Sequence, residues 1–269
     1  MITMIMTADD YAQSAAIDTG ILNLVGIGKL TAFSCLTLSP RWTEAATHIT
    51  PQIRQAADIG LHLDFTQYAQ PLRHDLPTLI VKTIFRRLDT AAIRQAIHAQ
   101  LDAFEQALGM PPDYIDGHQH VHQLPQIRQI LVEVLLARYP ARLPWLRIAR
   151  PPLADGLKGM VIRYLGASAL QRLAAAHHIR YSNVLLGVYG FNASAADYLH
   201  KLRGWFQTGQ RARTPVALMC HPALGVSRTE DSDPIYTARL VEYEVLSSVQ
   251  CSRLMAEHRV TLARGTHEL

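Results

Sequence analysis

Cysteine is scarce in this chain, and its spacing fits neither a disulfide-rich domain nor a zinc knuckle. The three cysteines, Cys35, Cys220 and Cys251, are odd in number, far apart and without a CxxC pair. Small secreted domains are instead dense in cysteine. The sequence therefore excludes a disulfide framework and a cysteine-built zinc knot. It favours a reducing compartment, which we predict to be the cytoplasm.

Long apolar runs are also missing. No stretch approaches the ~18–20 apolar residues that a membrane-spanning helix needs. The apolar N-terminal segment is as long as one strand and lacks both the charged leader and the cleavage site of a signal peptide. We therefore expect a soluble protein without a transmembrane segment.

Charge is sparse and scattered. Charged residues make up 18% of the chain, and the net charge is +4 with histidine neutral. The densest basic spots, Arg86-Arg87 and Arg211 with Arg213, do not form the aromatic-laced basic groove typical of nucleic-acid binders. No GxGxxG motif or P-loop marks a nucleotide site. We expect no nucleic-acid partner. A solvated surface explains the basic residues better than the alternative, attraction to an anionic substrate.

Apolar sequence is abundant and falls into alternating short and long segments. Apolar residues make up 49% of the 269 residues, enough for a large core. Short runs typical of strands alternate with patterns at helical spacing, and no repeat or linker divides them. This alternation predicts a parallel sheet with helices outside it. Seven or eight strand–helix units favour a single domain, residues 1–269. They also favour a TIM-like (β/α) barrel over an open doubly wound sheet.

The predicted strands are Met1–Thr7, Leu30–Leu38, Ile59–Phe65, Asp113–Asp116, Trp145–Ile148, Pro215–Cys220 and Arg259–Leu262. The predicted helices are Ser14–Ile27, Trp42–Ala57, Thr90–Leu108, Pro125–Arg138, Leu157–His178 with an interruption near Gly166, Ala193–Phe206 and Ile235–Met255. Residues Gln67–Leu88 contain Pro71 and Pro77 and are predicted to be irregular.

Polar side chains collect at the carboxyl ends of the predicted strands. Active sites of parallel α/β barrels lie at this end, because the βα loops converge there. Carboxylates, imidazoles and a guanidinium brought to one rim predict a catalytic site. The groups are Asp9 and Asp10, His62, the segment 116–122 (Asp-Gly-His-Gln-His-Val-His), Arg147 and His221.

The adjacent carboxylates of Asp9 and Asp10 indicate a cation site. Like charges this close repel unless a metal neutralises them. An N-cap for the helix that begins near Ser14, or a solvated loop, is the alternative explanation. One aspartate and two histidines from different strands would form an N/N/O ligand set with open positions, which suits a divalent catalytic metal.

The histidines differ in how strongly they indicate a site. His62 lies in an apolar run, where a hydrogen-bonded core histidine is the commoner explanation. His118, His120 and His122 alternate, so an extended segment would place them on one face, although a polar loop would also hold them. His221 follows an apolar strand. It could deliver a proton to a leaving amine, or it could be a strand-end residue bonded to the backbone.

Arg147 and Cys220 leave further alternatives. Arg147 would orient Asp9, bind substrate or form a surface salt bridge. A Cys220 nucleophile beside His221 is disfavoured, because adjacent side chains on a strand point to opposite faces.

Four segments resemble the YdjC-like family of carbohydrate deacetylases, in the family's order and over residues 7 to 222. They are Thr7-Ala8-Asp9-Asp10-Tyr11, Gly60-Leu61-His62-Leu63, residues 116–122 followed by Leu124-Pro125, and Leu218-Met219-Cys220-His221-Pro222. Asp233-Pro234 and Arg239 with Glu242-Tyr243 also resemble the family's C-terminal helix. Tyr11, Ala223 and Asp64-Phe65 depart from the family's usual Phe, Gly and Asn-Leu, and these departures bear on the substrate more than on the reaction type.

The resemblance implies a barrel related to the polysaccharide deacetylases, and removal of the acetyl group from the nitrogen of an N-acetylated sugar, free or lipid-linked. It implies a divalent metal, commonly magnesium, bound by Asp10, His62 and His118. The same ligand types accept zinc. By analogy with the wider deacetylase group, Asp9 is the base and His221 the acid. The other polar residues, His120, His122 and Arg147, are expected to contact substrate or to support these groups.

Two other functions remain open on the sequence alone. A metal-dependent hydrolase of another bond, such as a phosphoester, would need clustered cations near the metal, for which only Arg147 and Arg150 are candidates. A non-catalytic sugar-binding barrel would not need both Asp9 and His221. A homo-oligomer is compatible with the sequence, which reveals no particular interface.

Overall fold

A computed structural model describes residues 2–152, 156–212, 214–225 and 233–269. Met1, the first residue of the predicted first strand, lies outside these ranges. Within them the chain forms one parallel sheet rolled into a barrel, with helices packed around it. The strands are β1 (Ile2–Tyr11), β2 (Ala32–Cys35), β3 (Asp58–Leu63), β4 (Tyr114–Gly117), β5 (Trp145–Arg147), β6 (Tyr181–Ser182), β7 (Val184–Leu186), β8 (Val216–Cys220) and β9 (Val260–Leu262).

The strand order makes the barrel nearly closed. Neighbouring strands follow the order β6-β5-β4-β3-β2-β1-β8-β7, all pairs are parallel, and β9 joins the start of β1. The two strands at the ends of this order, β6 and β7, are separated in sequence by Asn183 alone. One short segment of chain therefore spans the gap, and the predicted (β/α) barrel is confirmed.

The helices occupy the connections between strands. They are α1 (Ala15–Gly26), α2 (Trp42–Ala46), α3 (Pro51–Ala56), α4 (Leu76–Ile84), α5 (Thr90–Leu108), α6 (Ile127–Arg138), α7 (Gly156–Ile162), α8 (Ser168–Ala176), α9 (Ala195–Arg211), α10 (Tyr236–Ser247), α11 (Val249–Glu257) and α12 (Gly265–Glu268). In the part of the chain that the structure describes, no helix is long and apolar enough to cross a membrane.

Proline explains why one predicted helix is divided. The helix predicted over Trp42–Ala57 is two short helices, α2 and α3. Thr50 precedes Pro51, and the residue before a proline disfavours helical backbone. Thr50 is accordingly extended, and its hydroxyl accepts a hydrogen bond from the Ile53 N–H as an N-cap.

The segment predicted to be irregular contains a helix, so that prediction was wrong. Helix α4 begins within Gln67–Leu88, and Pro77 lies in its first turn, where a missing N–H costs no helical bond. The Asp75 side chain accepts a hydrogen bond from the Thr78 N–H and caps the helix. Helix α4 also lines the cavity that opens at the carboxyl ends of the strands.

Two other long predicted helices are interrupted. The predicted break near Gly166 is confirmed: a π-helical turn, Arg163–Ala167, separates α7 from α8, and Gly166 has φ 140°. A Cβ at Gly166 would lie 2.0 Å from the Gln123 carbonyl oxygen, so this position requires glycine. The predicted helix Ile235–Met255 is divided at Ser248, an extended residue that caps α11.

Strand alternation sorts the barrel side chains into two sets. An apolar cluster of Ile5, Ala32, Tyr114 and Trp145 fills the lower part of the barrel interior, with the two aromatic rings stacked 4.4 Å apart. Gly60 leaves room for this stack, because a Cβ there would lie 2.5 Å from the Tyr114 ring. Residues two positions further along these strands point into the same interior, at the carboxyl rim. The interior therefore changes from apolar to polar toward that rim.

Candidate active site

A cavity of about 960 Å³ opens at the carboxyl ends of the strands. Its lining includes every residue that the sequence analysis assigned to metal binding or proton transfer. These are Asp9, Asp10, His62, His118 and His221.

An irregularity at the end of β1 turns two adjacent aspartates toward this cavity. Neighbouring strand residues normally point to opposite faces. The register with β2 shifts between Ala8 and Tyr11, however, and Asp10 has φ 69°, in the left-handed region. Such backbone is uncommon for a non-glycine residue and concentrates at functional sites. Asp18 stabilises the following turn by accepting a 2.6 Å hydrogen bond from the Ala12 N–H.

Asp10, His62 and His118 each present one ligand atom to a common point. Asp10 Oδ1 lies 3.3 Å from His62 Nε2 and 2.9 Å from His118 Nδ1, and the three atoms fall within 4.8 Å of one another. The other oxygen, Asp10 Oδ2, accepts a 2.7 Å hydrogen bond from Arg239. One carboxylate oxygen and two ring nitrogens thus converge from three strand ends.

His62 is oriented by a buried carboxylate behind it. Its Nδ1 lies 2.7 Å from Asp116 Oδ1, so an Nδ1–H donated there leaves Nε2, the atom that faces Asp10, to carry a proton or to bind a metal. The Ser34 hydroxyl also donates to Asp116, over 2.9 Å. Metal-bound histidines usually have such a carboxylate on the second nitrogen, which fixes the tautomer and the ring orientation.

The charges around this point favour a cation. Burial lowers the pKa of His62, but the carboxylates of Asp116 and Asp9 outweigh it and raise that pKa to about 10. Burial would raise the pKa of Asp10, but Arg239 and His118 hold it well below its ordinary value. The site is thus built to keep Asp10 ionised and to place a positive charge at His62, which a divalent metal satisfies as well as a proton does.

A second group of possible ligand atoms, on Asp9, His62 and Asp116, fits a metal less well. Arg147 lies between its carboxylates, donating to Asp9 Oδ2 over 2.7 Å and to Asp116 Oδ2 over 2.8 Å. A guanidinium already supplies the positive charge there. The donor set that fits a metal is therefore Asp10, His62 and His118.

Asp9 keeps one oxygen available beside this set. Its Oδ2 is held by Arg147, whereas its Oδ1 is buried and has no hydrogen-bond partner among the described residues. Burial raises the pKa of Asp9 to about 6 against the opposing effect of Arg147. A fixed carboxylate with one free oxygen at a cavity floor has the position of a general base.

His221 faces Asp9 from the end of β8. Its Nε2 lies 3.8 Å from Asp9 Oδ2, and its ring packs edge-on against Phe191. Glu242 accepts a 2.6 Å hydrogen bond from the His221 N–H and a 2.7 Å bond from the Tyr189 hydroxyl. Burial lowers the pKa of His221 to about 3, so the ring is neutral near pH 7.

The three residues expected at the substrate differ in position. His120 lines the cavity beside His118. His122 is 1% exposed, and its Nε2–H donates to the Arg147 carbonyl oxygen over 3.0 Å. Arg147 is 2% exposed and bonded to both Asp9 and Asp116. His122 and Arg147 are therefore buried outside the cavity lining, where they support other residues of the site.

The histidine segment is not extended, and this explains the divergence of its side chains. Residues His118–Gln123 form a 3₁₀ segment, with Gln119 at φ 52° and His120 at φ 62°. Alternation therefore does not put the three imidazoles on one face. The alternation rule does hold for Cys220, which is fully buried and packs in the main core cluster rather than lining the cavity.

Three functional side chains received no role from the sequence analysis. Asp116 orients His62, Arg239 holds Asp10 and Glu242 holds His221. Asp116 shares strand parity with the apolar interior residue Tyr114, a signal that was available. Arg239 and Glu242 are three residues apart on α10 and both are buried, a spacing that puts them on one helix face.

Comparison with known proteins places this geometry in a family. The model of the YdjC-like protein family matches residues 3–257. The chain belongs to the YdjC-like family. The predicted resemblance is thereby confirmed over most of the chain.

Two named relatives of the YdjC-like chain differ in how much they match. The chitooligosaccharide deacetylase of Yersinia pestis bv. Antiqua (strain Angola) is 28% identical over 256 residues, 91% of this chain and 90% of that protein. The carbohydrate deacetylase of Homo sapiens is 30% identical over 171 residues, 58% of this chain and 50% of that protein. The match therefore spans about half the length of the human relative.

Solved structures share the barrel. A candidate cellobiose-phosphate cleavage protein from Enterococcus faecalis V583 superposes with a TM-score of 0.72 at 20% identity, covering 98% of this chain and 97% of that one. The Bc1960 peptidoglycan N-acetylglucosamine deacetylase gives a TM-score of 0.52 at 12% identity, covering 97% and 85%. At these identities the likeness concerns the fold alone, a barrel that this YdjC-like chain shares with both proteins.

Proposed function

We propose that this protein is a metal-dependent hydrolase that removes the acetyl group from the nitrogen of an N-acetylated sugar, releasing acetate and an amino sugar. The observation that carries the proposal is the pairing of a convergent Asp10–His62–His118 donor set with a carboxylate, Asp9, that has one free oxygen beside it. The names of the relatives, a chitooligosaccharide deacetylase and a carbohydrate deacetylase, support the same bond and substrate class.

Asp10, His62 and His118 would hold the metal. When bound there, a divalent cation supplies Lewis-acid activation of water and of the acetyl carbonyl. We propose magnesium, on the family resemblance, and the N/N/O donor set also accepts zinc. Metal analysis of protein purified without added ions, followed by reconstitution with each ion, tests this choice.

The chain's own groups would move the protons. Asp9, held by Arg147, takes the proton of the attacking water through its free Oδ1. His221, 3.8 Å from Asp9, delivers a proton to the departing nitrogen. The ring of His221 is neutral at the start and takes this proton from Asp9 during the reaction, so Asp9 returns to its carboxylate form. His122 and Arg147 act beneath the floor by fixing Asp9, and His120 lines the space left for the sugar.

Acetate release from N-acetylated chitooligosaccharides, with and without chelator, tests the proposal. We expect release that chelator abolishes and added metal restores. Sugar binding without acetate release would instead identify a non-catalytic barrel, and release of phosphate from sugar phosphates would identify a phosphoesterase. The phosphoesterase receives little support from position, because Arg147 is buried in ion pairs and Arg150 donates to Gln171.

We also propose that the protein acts in the cytoplasm. All three cysteines are unpaired and buried, as expected where thiols stay reduced. Cell fractionation followed by detection of the protein tests this location.

A further inference from the structure

The cavity wall differs in chemistry from its floor. Above the polar floor, α4 contributes Leu76 and Ile80, and the facing segment of α7 and the π-helical turn contributes Val161, Ile162 and Leu165. Val188, Phe191, Met219 and Ile235 extend the apolar lining around the cavity. The hydroxyl groups of a sugar need a few polar partners, and these aliphatic side chains offer none. This aliphatic wall is better suited to hydrocarbon.

The apolar character of these two helices continues onto the outer surface. Nine large hydrophobic side chains are exposed in the described part of the chain, and six of them lie in two short stretches, 81–85 and 160–164. Phe85 is 64% exposed and Tyr164 is 77% exposed. Clustered exposure of this kind marks an interaction surface, whereas single exposed apolar residues need no explanation. The six are Val81, Ile84, Phe85, Met160, Val161 and Tyr164.

Arginines without ion pairs surround the same stretches. No carboxylate lies within 4 Å of the guanidinium of Arg86, Arg87, Arg128 or Arg172 among the described residues. Half burial, with Arg172 and Arg86 close by, lowers the pKa of Arg128, so these three charges lie near one another. The Arg87 guanidinium lies 5.3 Å from the centre of the Phe85 ring, which joins the cationic and apolar parts of the surface.

The carboxylates on either side of the stretch 81–87 in sequence, Asp75 and Asp89, bond to helix N-termini rather than to these arginines. The Asp75 side chain accepts from the Thr78 N–H, and the Asp89 side chain accepts from the Ala91 N–H. Both therefore act as helix N-caps. Two of the helical segments that line the cavity therefore carry exposed apolar side chains, with arginines that form no ion pair among the described residues beside them.

We propose that this surface, the exposed apolar residues of 81–85 and 160–164 with Arg86, Arg87, Arg128 and Arg172, binds an anionic membrane. The apolar cavity wall then accepts the lipid part of a membrane-borne N-acetylated sugar. The surface supplies the two components of peripheral membrane binding, apolar side chains that enter the interface and cations that attract anionic head groups. The substrate part of the proposal rests on the deacetylase function proposed above.

Charge decides between a membrane and a second copy of this chain as the occupant. In a twofold dimer the same patch meets itself, so the arginine clusters of the two copies would be brought together without carboxylates between them. Like charges at an interface are unfavourable. Anionic head groups complement the same arginines, and a membrane leaves the cavity open to its own lipids.

Sedimentation with vesicles tests the surface without reference to activity. The full chain is mixed with vesicles of phosphatidylcholine alone, or of equal parts phosphatidylcholine and phosphatidylglycerol. We expect binding to the anionic vesicles that weakens with salt, and about tenfold weaker binding by Phe85→Ser/Tyr164→Ser. The matched control is Ile27→Ser/Val249→Ser, which removes side chains of 50% and 63% exposure outside this surface and should bind like the parent.

Equal vesicle binding by the two double variants would overturn the proposal, as would absence of binding by the parent. A parent dimer that Phe85→Ser/Tyr164→Ser dissociates in size-exclusion chromatography would also overturn it, in favour of a second copy of this chain.

Two substrates separate this proposal from the proposed function. N,N′-diacetylchitobiose is soluble, whereas a long-chain alkyl N-acetylglucosaminide can be incorporated in the anionic vesicles. We expect Phe85→Ser/Tyr164→Ser to lower kcat/KM about tenfold on the vesicle-borne substrate alone. Hydrolysis of chitobiose without vesicle binding would end the membrane proposal and leave the deacetylase standing. If Phe85→Ser/Tyr164→Ser weakened vesicle binding but the parent released acetate from neither substrate, the deacetylase proposal would end and the membrane proposal would stand.

Discussion

The two halves of the cavity floor are held in place in different ways. On the metal side, Asp10, His62 and Asp116 each contact at least two other side chains. On the acid side, Glu242 fixes His221 through its backbone N–H, and the ring Nδ1 has no hydrogen-bond partner in the described part of the chain.

This difference matches what each half would have to do. A metal needs fixed donor positions, and a network with several bonds at each member keeps its geometry when one bond is lost. A proton donor must meet a nitrogen whose position changes during the reaction, so a ring fixed mainly through its backbone retains useful freedom. Helix α10 serves both halves, because Arg239 bonds to Asp10 and Glu242 bonds to His221.

Removal of a donor from the metal side should have the largest effect. We expect Asp10→Ala to lose bound metal and to lower kcat/KM on the order of a thousandfold, because it deletes the oxygen shared by both histidines. Metal content by mass spectrometry and acetate release measure the two effects. Asp75→Ala, a helix-cap aspartate, is the control. Full metal content and activity in Asp10→Ala would refute the assigned site.

A second prediction concerns Asp116, the carboxylate that lies behind His62. Asp116→Asn keeps the shape but removes the charge that faces Arg147 and His62. We expect metal affinity to fall about 10-fold to 100-fold and the free energy of unfolding to fall by about 3 kcal/mol, because Arg147 loses one of two buried counter-charges. Titration with metal and urea denaturation measure these changes. Wild-type affinity in the folded variant would contradict the role of Asp116.

On the acid side, Glu242→Gln should lower kcat while leaving metal affinity unchanged. Glutamine can still accept from the His221 N–H, but its hydrogen bond is no longer charge-assisted. We expect about a tenfold fall in kcat, measured as acetate release at saturating substrate. An equal loss of metal would show that the two halves are not separable. Glu244→Gln, on the solvent side of the same helix, is the control.

The same variant has a predicted pH signature in stability. Burial raises the pKa of Glu242 from an ordinary 4.5 to about 7, despite bonds from His221 and Tyr189 and the nearby charge of Arg239. The folded state then binds the proton more tightly than the unfolded state, so this group's contribution to stability is greatest below pH 4.5 and declines as the pH rises to about 7. Glutamine does not titrate. The free energy of unfolding of Glu242→Gln, relative to that of the parent, should therefore rise by about 3 kcal/mol across this window. Urea denaturation of both proteins at pH 5 and pH 8 measures this difference. The same difference at both pH values would refute the prediction.

The parts of this molecule that follow local rules were predictable from the sequence. Alternating apolar runs predicted the barrel, and strand ends predicted that Asp10, His62, His118 and His221 would converge. Helix α4 differs from the irregular segment predicted there, because Pro77 lies in the first turn of the helix, where proline is favoured, and does not disrupt it.

The parts that depend on local exceptions or on distant partners were not predictable. The left-handed backbone at Asp10 and His120 breaks the alternation on which side-chain direction was judged. Arg239 is more than two hundred residues from Asp10 in sequence, and the pairing of β1 with β8 brings the two together. The second nitrogen of His62 and the outer oxygen of Asp10 are therefore satisfied by residues that motif spacing alone does not reveal.

The smallest change in metal affinity should come from Asp233, which bonds to Arg239, the residue on α10 that holds Asp10. Arg239 donates over 2.7 Å to both Asp10 and Asp233, so Asp233→Asn leaves it bonded to Asp10 and still able to bond to the asparagine oxygen. We expect a loss of about 1 kcal/mol in the free energy of unfolding and less than about a threefold change in metal affinity. Metal titration beside Asp116→Asn measures the contrast. If Asp233→Asn weakened metal binding as much as Asp116→Asn does, the metal side would depend on α10 rather than on the barrel, and the two halves of the floor would be one unit.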